Sequence, residues 1–318
     1  MSSLSTNEPR RLPDALCNPA ELLPFAQVKL IAFDLDGTLI STPSETLGER
    51  LVGLFSLLGA PGRNTRLTLA TGRTLSGVSN IISKFAGFNR VPLVLYNGSV
   101  VIEPESESIV FHVSIPALAA TQVISSTTSN KNTCAFLYTI DLEAKLKNDS
   151  SPVEKVYYSG SLEGMPARDF NGMTVHPITE INISTDRIVA ILIDTTKLTT
   201  QEKIETANLI NTIPEISATS SGGGYIEIRP KESSKALGIK NLCKRYNISE
   251  NNVLAVGDND NDVELLSWAG ISVCVKNSSP AARAASKFYS RQGAGNAAIE
   301  ILEIVRRAQR LFGRTRKT

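Results

Sequence analysis

Histidine is nearly absent from this chain of 318 residues: only His112 and His176 occur, and they form neither an H-E-x-x-H pair nor any other close ligand set. An imidazole-based zinc hydrolase is thereby excluded, and any metal would be held by oxygen. Cysteine is almost as sparse. Cys17, Cys134, Cys243 and Cys274 never form C-x-x-C, which removes zinc knuckles and dithiol redox sites. Cys243 and Cys274 read as small buried apolar residues in a protein of the reducing cytosol. No apolar run reaches the roughly 18 residues that span a bilayer. The stretch 1–27 has acids at Glu8, Asp14 and Glu21 and four prolines in place of an apolar signal centre, and is expected to be a flexible leader. Charge of one sign is lacking too. With 33 Lys+Arg against 31 Asp+Glu, no overall field points to nucleic acid or an anionic membrane.

What is present is apolar material for a sizeable core, with 42% hydrophobic and 20% charged residues in a length suited to one large domain or two. The run VKLIAF (28–33) ends in DLDGT and has the character of a buried parallel strand. A helix follows on Leu47, Leu51, Leu54, Phe55 and Leu58. RLTLA (66–70) is expected as a second strand, Thr74 to Ala86 as a helix and PLVLY (92–96) as a third strand. From about 103 the rhythm changes to mixed α+β, with strands expected at 108–113, 133–139, 153–158 and 187–194 and helices near 116–126 and 198–212. The alternating pattern returns with a helix at 234–246, a strand at 252–258, a helix at 260–268, a strand at 271–275 and a last helix near 294–311. The expected architecture is α/β, a doubly wound Rossmann-like parallel-sheet core with an inserted α+β cap domain. Its parts are the leader (1–27), a split core (28–102 and 230–312), the cap (103–229) and a basic tail (313–318). Arg306, Arg307, Arg310, Arg314, Arg316 and Lys317 carry positive charge with no acid after residue 305, so the remainder of the chain is acidic. Gly222-Gly223-Gly224 reads as a hinge, a substrate loop or a plain turn.

Open α/β sheets place their sites at the C-terminal ends of strands, and three polar clusters fall there. Asp34-Leu35-Asp36-Gly37-Thr38 sets two carboxylates one residue apart where a strand stops, so both can face a crevice. Such a pair can bind a hard cation, and one member can act as nucleophile while the other moves protons. A plain D-G turn is the bland alternative. Ala70-Thr71-Gly72-Arg73 offers a hydroxyl and backbone N–H groups as a phosphate cradle, or merely a helix cap. Gly257-Asp258-Asn259-Asp260-Asn261-Asp262 crowds three carboxylates at a strand end, which calls for a cation or a helix N-terminus to offset them. It lacks the glycine and terminal glutamate of a calcium loop at the required spacing. Lys235, near the start of a helix, is a solvated charge by default; turned into the same crevice it would neutralise phosphate.

In this order and spacing the four segments resemble the motifs of the haloacid dehalogenase-like phosphohydrolases. The long insertion after Asn97-Gly98 and the segment 269–283 are similar to the large α+β cap subfamily (IIB), Cof-like branch. One departure precedes Lys235, where Lys231-Glu232-Ser233-Ser234-Lys235-Ala236 stands in place of two glycines. The resemblance implies a Mg²⁺-dependent phosphatase acting on a small phosphorylated substrate, a sugar phosphate foremost, in the cytoplasm and without nucleic-acid or membrane partners. It implies Asp34 as nucleophile and Asp36 as acid and base. It further implies Thr71, Gly72, Lys235 and Asn261 around the phosphoryl group, and Asp34, Asp36, Asp258 and Asp262 around the metal. Arg73, Asn97 and Gly98, at strand ends facing the cap, are candidate substrate contacts. A phosphosugar mutase of the same superfamily and a non-catalytic phospho-aspartate switch or binding module are the alternatives.

Overall fold

A computed structural model describes residues 8–14, 16–41, 48–60, 63–84, 91–128, 132–142, 153–162, 170, 172–221 and 224–312. In chain order these comprise β1 (Arg10–Arg11), α1 (Leu23–Ala26), β2 (Leu30–Phe33), α2 (Glu49–Leu58), β3 (Arg66–Leu69), α3 (Leu75–Ile82), β4 (Leu93–Leu95), β5 (Val100–Glu103) and β6 (Ser108–His112). Next come α4 (Ala117–Thr128), β7 (Cys134–Ile140), β8 (Glu154–Gly160), β9 (Val175–Pro177), β10 (Arg187–Asp194), α5 (Thr200–Ile210), β11 (Ile216–Ser221) and β12 (Tyr225–Pro230). The chain closes with α6 (Lys235–Tyr246), β13 (Val253–Gly257), α7 (Val263–Trp268), β14 (Ile271–Cys274), α8 (Pro280–Ala285), β15 (Phe288–Tyr289) and α9 (Ala294–Phe312).

The core sheet is parallel throughout, in the order β1-β15-β14-β13-β2-β3. Its central strands, LIAF in β2 and VLAVG in β13, are buried at every position, as a sheet covered on both faces requires. Phe33 meets the ring of Phe55 from α2 edge-on on one side, while Ala32 and Ala255 pack with Ile239 and Leu242 of α6 on the other. Local chemistry sets the helix starts: the Thr74 hydroxyl accepts from the Gly77 N–H at α3, and Ser234 accepts from Leu237 N–H at α6.

A second sheet, β11-β12-β10-β7-β8-β9, forms the cap. It is antiparallel except for the β8/β9 pair, and α4 and α5 pack against it. β7 is buried along its whole length. A third sheet, β4-β5-β6, is antiparallel; among the described residues one isolated β-bridge, Ala70 to Val94, links it to the core sheet, and Val94 and Val101 pack with Ala236 and Ile239 of α6.

Three expectations differ from these observations. PLVLY does not extend the parallel sheet as a full strand: only Leu93–Leu95 is a strand, it pairs along its length with β5, and its one β-bridge to the parallel sheet among the described residues joins Val94 to Ala70. The segment 108–113 pairs with β5, beside the core, rather than with the cap sheet. The leader is ordered over much of its length: Arg10 and Arg11 add a strand beside β15, and Leu12, Leu22 and Phe25 are buried, with α1 against α9. Their apolar side chains supply what the prolines take away. Gly224 lies in the β11/β12 hairpin at φ +82, within the cap sheet; Gly222, Gly223 and the basic tail 313–318 fall outside the described residues.

Candidate active site

β2 and β13 are parallel neighbours with Phe33 opposite Val256, so the residues that follow them leave the sheet side by side. Asp34 still donates its N–H to the Val256 carbonyl at 2.9 Å, and its side chain is buried. Asp258 follows β13 and accepts from the Thr38 hydroxyl at 3.0 Å. The turn between them must be glycine. Gly37 has φ +87, and a Cβ there would lie 2.2 Å from an Asp258 carboxylate oxygen.

Lys235, the first residue of α6, is 1% exposed and reaches under this pair. Its Nζ donates to Asp34 Oδ1 and to Asp262 Oδ1, each at 2.7 Å. Asp262 is completely buried, and its other oxygen accepts from the N–H groups of Asp258 (3.0 Å) and Asn259 (3.1 Å). Asp262 thus shapes the loop that presents Asp258. Carboxylate oxygens of Asp34, Asp258 and Asp262 all lie within 4.8 Å of one another.

One ammonium, paired with Asp34 and Asp262, serves a cluster of three carboxylates. Burial pushes the Asp34 carboxyl well above its ordinary value, Asp262 and Asp258 push it further, and Lys235 opposes them. Burial also raises Asp258, with Asp262 adding to it. Burial by itself would lower the Lys235 ammonium, but the charges of Asp262 and Asp34 outweigh it and hold the amine above an ordinary lysine.

Asp36 turns the other way, toward solvent and the loop after β3. Both its oxygens accept from Arg73. In that loop the buried Thr71 accepts from Arg73 N–H at 3.2 Å, and Asn97 donates its N–H to the Thr71 carbonyl at 3.0 Å. Asn261 Nδ2 donates to Asn97 Oδ1 at 3.0 Å, joining this loop to the one after β13. Asp34, Asp36, Thr71, Gly72, Arg73, Asn97 and Asn261 therefore line one cavity of about 850 Å³. Gly98 does not line it. At φ +92 its Cα backs onto the start of α6, where a Cβ would lie 1.8 Å from the Ser234 carbonyl oxygen.

The far wall of the cavity comes from the cap and was missed by the motifs. It includes Tyr138 of β7, Ile191 of β10 and Tyr225, Glu227 and Arg229 of β12. A signal for the last three was available: in YIEIRP the buried Ile226 and Ile228 alternate with them, so the period of two puts Tyr225, Glu227 and Arg229 on the opposite face.

Residues 31–302 match the family model described as haloacid dehalogenase-like hydrolase. Among relatives, YxeH of Bacillus subtilis is 26% identical over 274 residues, 83% of this chain and 93% of its own. YbjI of Escherichia coli, named a 5-amino-6-(5-phospho-D-ribitylamino)uracil phosphatase, is 24% identical over 286 residues, 87% and 96% of the two chains. The solved structure of the subclass IIB sugar phosphatase BT4131 superposes with a TM-score of 0.65 at 17% identity, covering 90% of this chain and 99% of that one. The chain belongs to the haloacid dehalogenase-like hydrolases, within their phosphatase group, and has the fold of the large-cap, Cof-like subclass IIB.

Proposed function

We propose that this enzyme is a Mg²⁺-dependent phosphatase that hydrolyses a small phosphomonoester, a sugar phosphate foremost, through an aspartyl-phosphate on Asp34. The observation that carries the reading is the buried Asp34, held by Lys235 beside Asp258 at the floor of a cavity roofed by the cap.

A hard divalent cation fits the floor: the donors are carboxylate oxygens, and three clustered carboxylates share one ammonium. Asp34, Asp258 and the backbone carbonyl of Asp36 would hold it, with Asp262 adjoining, and its charge would offset that of the phosphoryl oxygens.

In the first step an Asp34 oxygen attacks phosphorus in line, forming one P–O bond as the bond to the leaving oxygen breaks. Asp36 gives that oxygen a proton. Asp36 then takes a proton from a water that attacks phosphorus, the bond to Asp34 breaks, and inorganic phosphate leaves. Thr71, Gly72, Asn261 and the Lys235 ammonium hold the phosphoryl oxygens meanwhile. Arg73 keeps Asp36 oriented through its two-pronged contact.

In this reading 28–102 and 230–312 form the catalytic core and 103–229 the cap that excludes water. The wall mixes Tyr138 and Tyr225, which can lie against the apolar face of a ring or polyol, with Glu227, which can accept from hydroxyls. The names of YbjI and BT4131 point to phosphates of that kind. The same reading places the enzyme in the cytoplasm; separately, among the described residues no helix is long and apolar enough to cross a membrane.

A panel of sugar, polyol, nucleotide and aryl phosphates assayed for Mg²⁺-dependent phosphate release tests the proposal. Release should vanish in Asp34→Asn and fall severely in Asp36→Asn. Full activity of Asp34→Asn overturns it, and isomerised sugar phosphate in place of free phosphate would make the enzyme a mutase.

A further inference from the structure

Glu154, the first residue of cap strand β8, is a buried carboxylate whose side-chain hydrogen-bond donors among the described residues all belong to the core. One oxygen accepts from Leu75 N–H at 2.6 Å and from the Tyr96 hydroxyl at 2.8 Å. The other accepts from Ser76 N–H at 3.0 Å and from the Ser76 hydroxyl at 3.1 Å. Four neutral donors thus surround a cap side chain. Breaking this contact would leave the carboxylate and two helix N–H groups of α3 short of partners in a buried place.

The two core segments that Glu154 grips are the ones that carry site residues. Leu75 and Ser76 directly follow Arg73 and Thr74, and Arg73 bonds both Asp36 and, through Nη1, the Gly77 carbonyl at 3.2 Å. Tyr96 directly precedes Asn97, whose side chain bonds Asn261. Tyr96 itself sits at φ +52, a backbone region that a bulky residue occupies only when its surroundings hold it there. Its N–H donates to the Arg73 carbonyl at 3.1 Å, and its ring lies against Tyr138 of the cap at 6.0 Å.

We infer that Glu154 is a positioning residue: it clasps the cap to the core and, through Tyr96 on one side and Leu75-Ser76 on the other, sets the placement of Asn97 and Arg73. The clasp stands on geometry alone; its effect on catalysis rests on the phosphatase reading above. Cap position and site geometry are thereby one degree of freedom. A cap that moves away releases the Asn97–Asn261 arm and the Arg73–Asp36 arm together.

Glu154→Gln tests this, because the amide keeps one acceptor oxygen and turns N–H groups toward donors. Two measurements are made on the full chain, hydrogen exchange of individual segments and steady-state kinetics with an aryl phosphate and Mg²⁺. The expected result is exchange at Leu75 and Ser76 at least about tenfold faster than in the parent, with β2 and β13 unchanged, and kcat lower by ~10- to ~100-fold at a KM within about twofold. Parental protection of Leu75 and Ser76 overturns the clasp. Lost protection with parental kcat overturns the positioning role. A parent protein without phosphatase activity overturns the function proposed above and the kinetic part of this inference, while exchange still decides the clasp. Should Glu154→Gln fail to fold, Ser76→Ala, which removes one donor alone, must show the same pattern to a smaller degree; parental exchange and kcat there overturn the inference.

Discussion

Arg73 grips Asp36 with two nitrogens, Nε at 2.9 Å from one carboxylate oxygen and Nη2 at 2.6 Å from the other. The Asp36 side chain is 47% exposed and that of Arg73 20%. A pair this wet contributes no more than about 1 kcal/mol to stability, so its worth lies in orientation. Arg73→Ala is therefore expected to shift the urea midpoint little while lowering kcat for an aryl phosphate about tenfold or more. Arg73→Lys should recover only part of the loss, since a lysine has no fork. A parental kcat in Arg73→Ala would show that Asp36 needs no such guide.

Lys235 presents the opposite case. Its ammonium is buried between Asp34 and Asp262, and Lys235→Met would leave two buried carboxylates facing each other. The expected loss of stability without added metal is ~3–5 kcal/mol, read by urea unfolding. In the double variant with Asp262→Asn the loss should be smaller than the sum of the single losses, since one uncompensated charge is gone. Simple additivity would mean that the two side chains are not coupled.

Two glycines give a matched comparison. Gly98→Ala places a methyl group 1.8 Å from the Ser234 carbonyl at a positive φ, and should cost about 2 kcal/mol or more while disturbing Lys235 one residue further on. Gly53→Ala, inside α2 with nothing within 4 Å, should stabilise by roughly 0.5–1 kcal/mol. Thermal unfolding of both, with the parent as reference, reads the difference in sign.

The carboxylate cluster predicts a response to metal that needs no turnover. MgCl₂ should raise the melting temperature of the parent, because an ion bound only by the folded state stabilises it, by about 2.7 kcal/mol at 100-fold excess over Kd. Asp258→Ala should abolish most of that shift and weaken magnesium activation of phosphate release. An unchanged shift in the variant would remove Asp258 from the metal site.

Much of the core was readable because the signals are local. The apolar runs at 28–33 and within 252–258 need no partner to be recognised as two-sided strands, and Thr74, Thr199 and Ser234 mark helix starts through bonds that span three residues. Polar residues at the ends of such runs could be placed at one sheet edge from strand grammar alone. That Gly98 lies outside the cavity lining could not be read locally, because its constraint is the approach of Ser234, 136 positions away in the chain. The leader was misjudged for a similar reason: prolines and acids describe its own preferences, whereas the burial of Leu22 and Phe25 against α9 depends on the other end of the protein.

By itself the sequence determined the class of chemistry. Two histidines and dispersed cysteines leave oxygen donors, and Asp34, Asp36, Thr71, Lys235 and Asp258 stand in the order of one hydrolase superfamily. Only the tertiary structure decided what those residues touch. Lys235 bonds Asp34 across 201 residues and Asp262 across 27, Asp36 is held by Arg73, and a cap carboxylate, Glu154, reaches the core loop that carries Arg73. Strand and helix preferences act over a few residues and are written locally. Charge pairing and cavity shape arise where distant segments converge, and that convergence is set by strand order and cap placement.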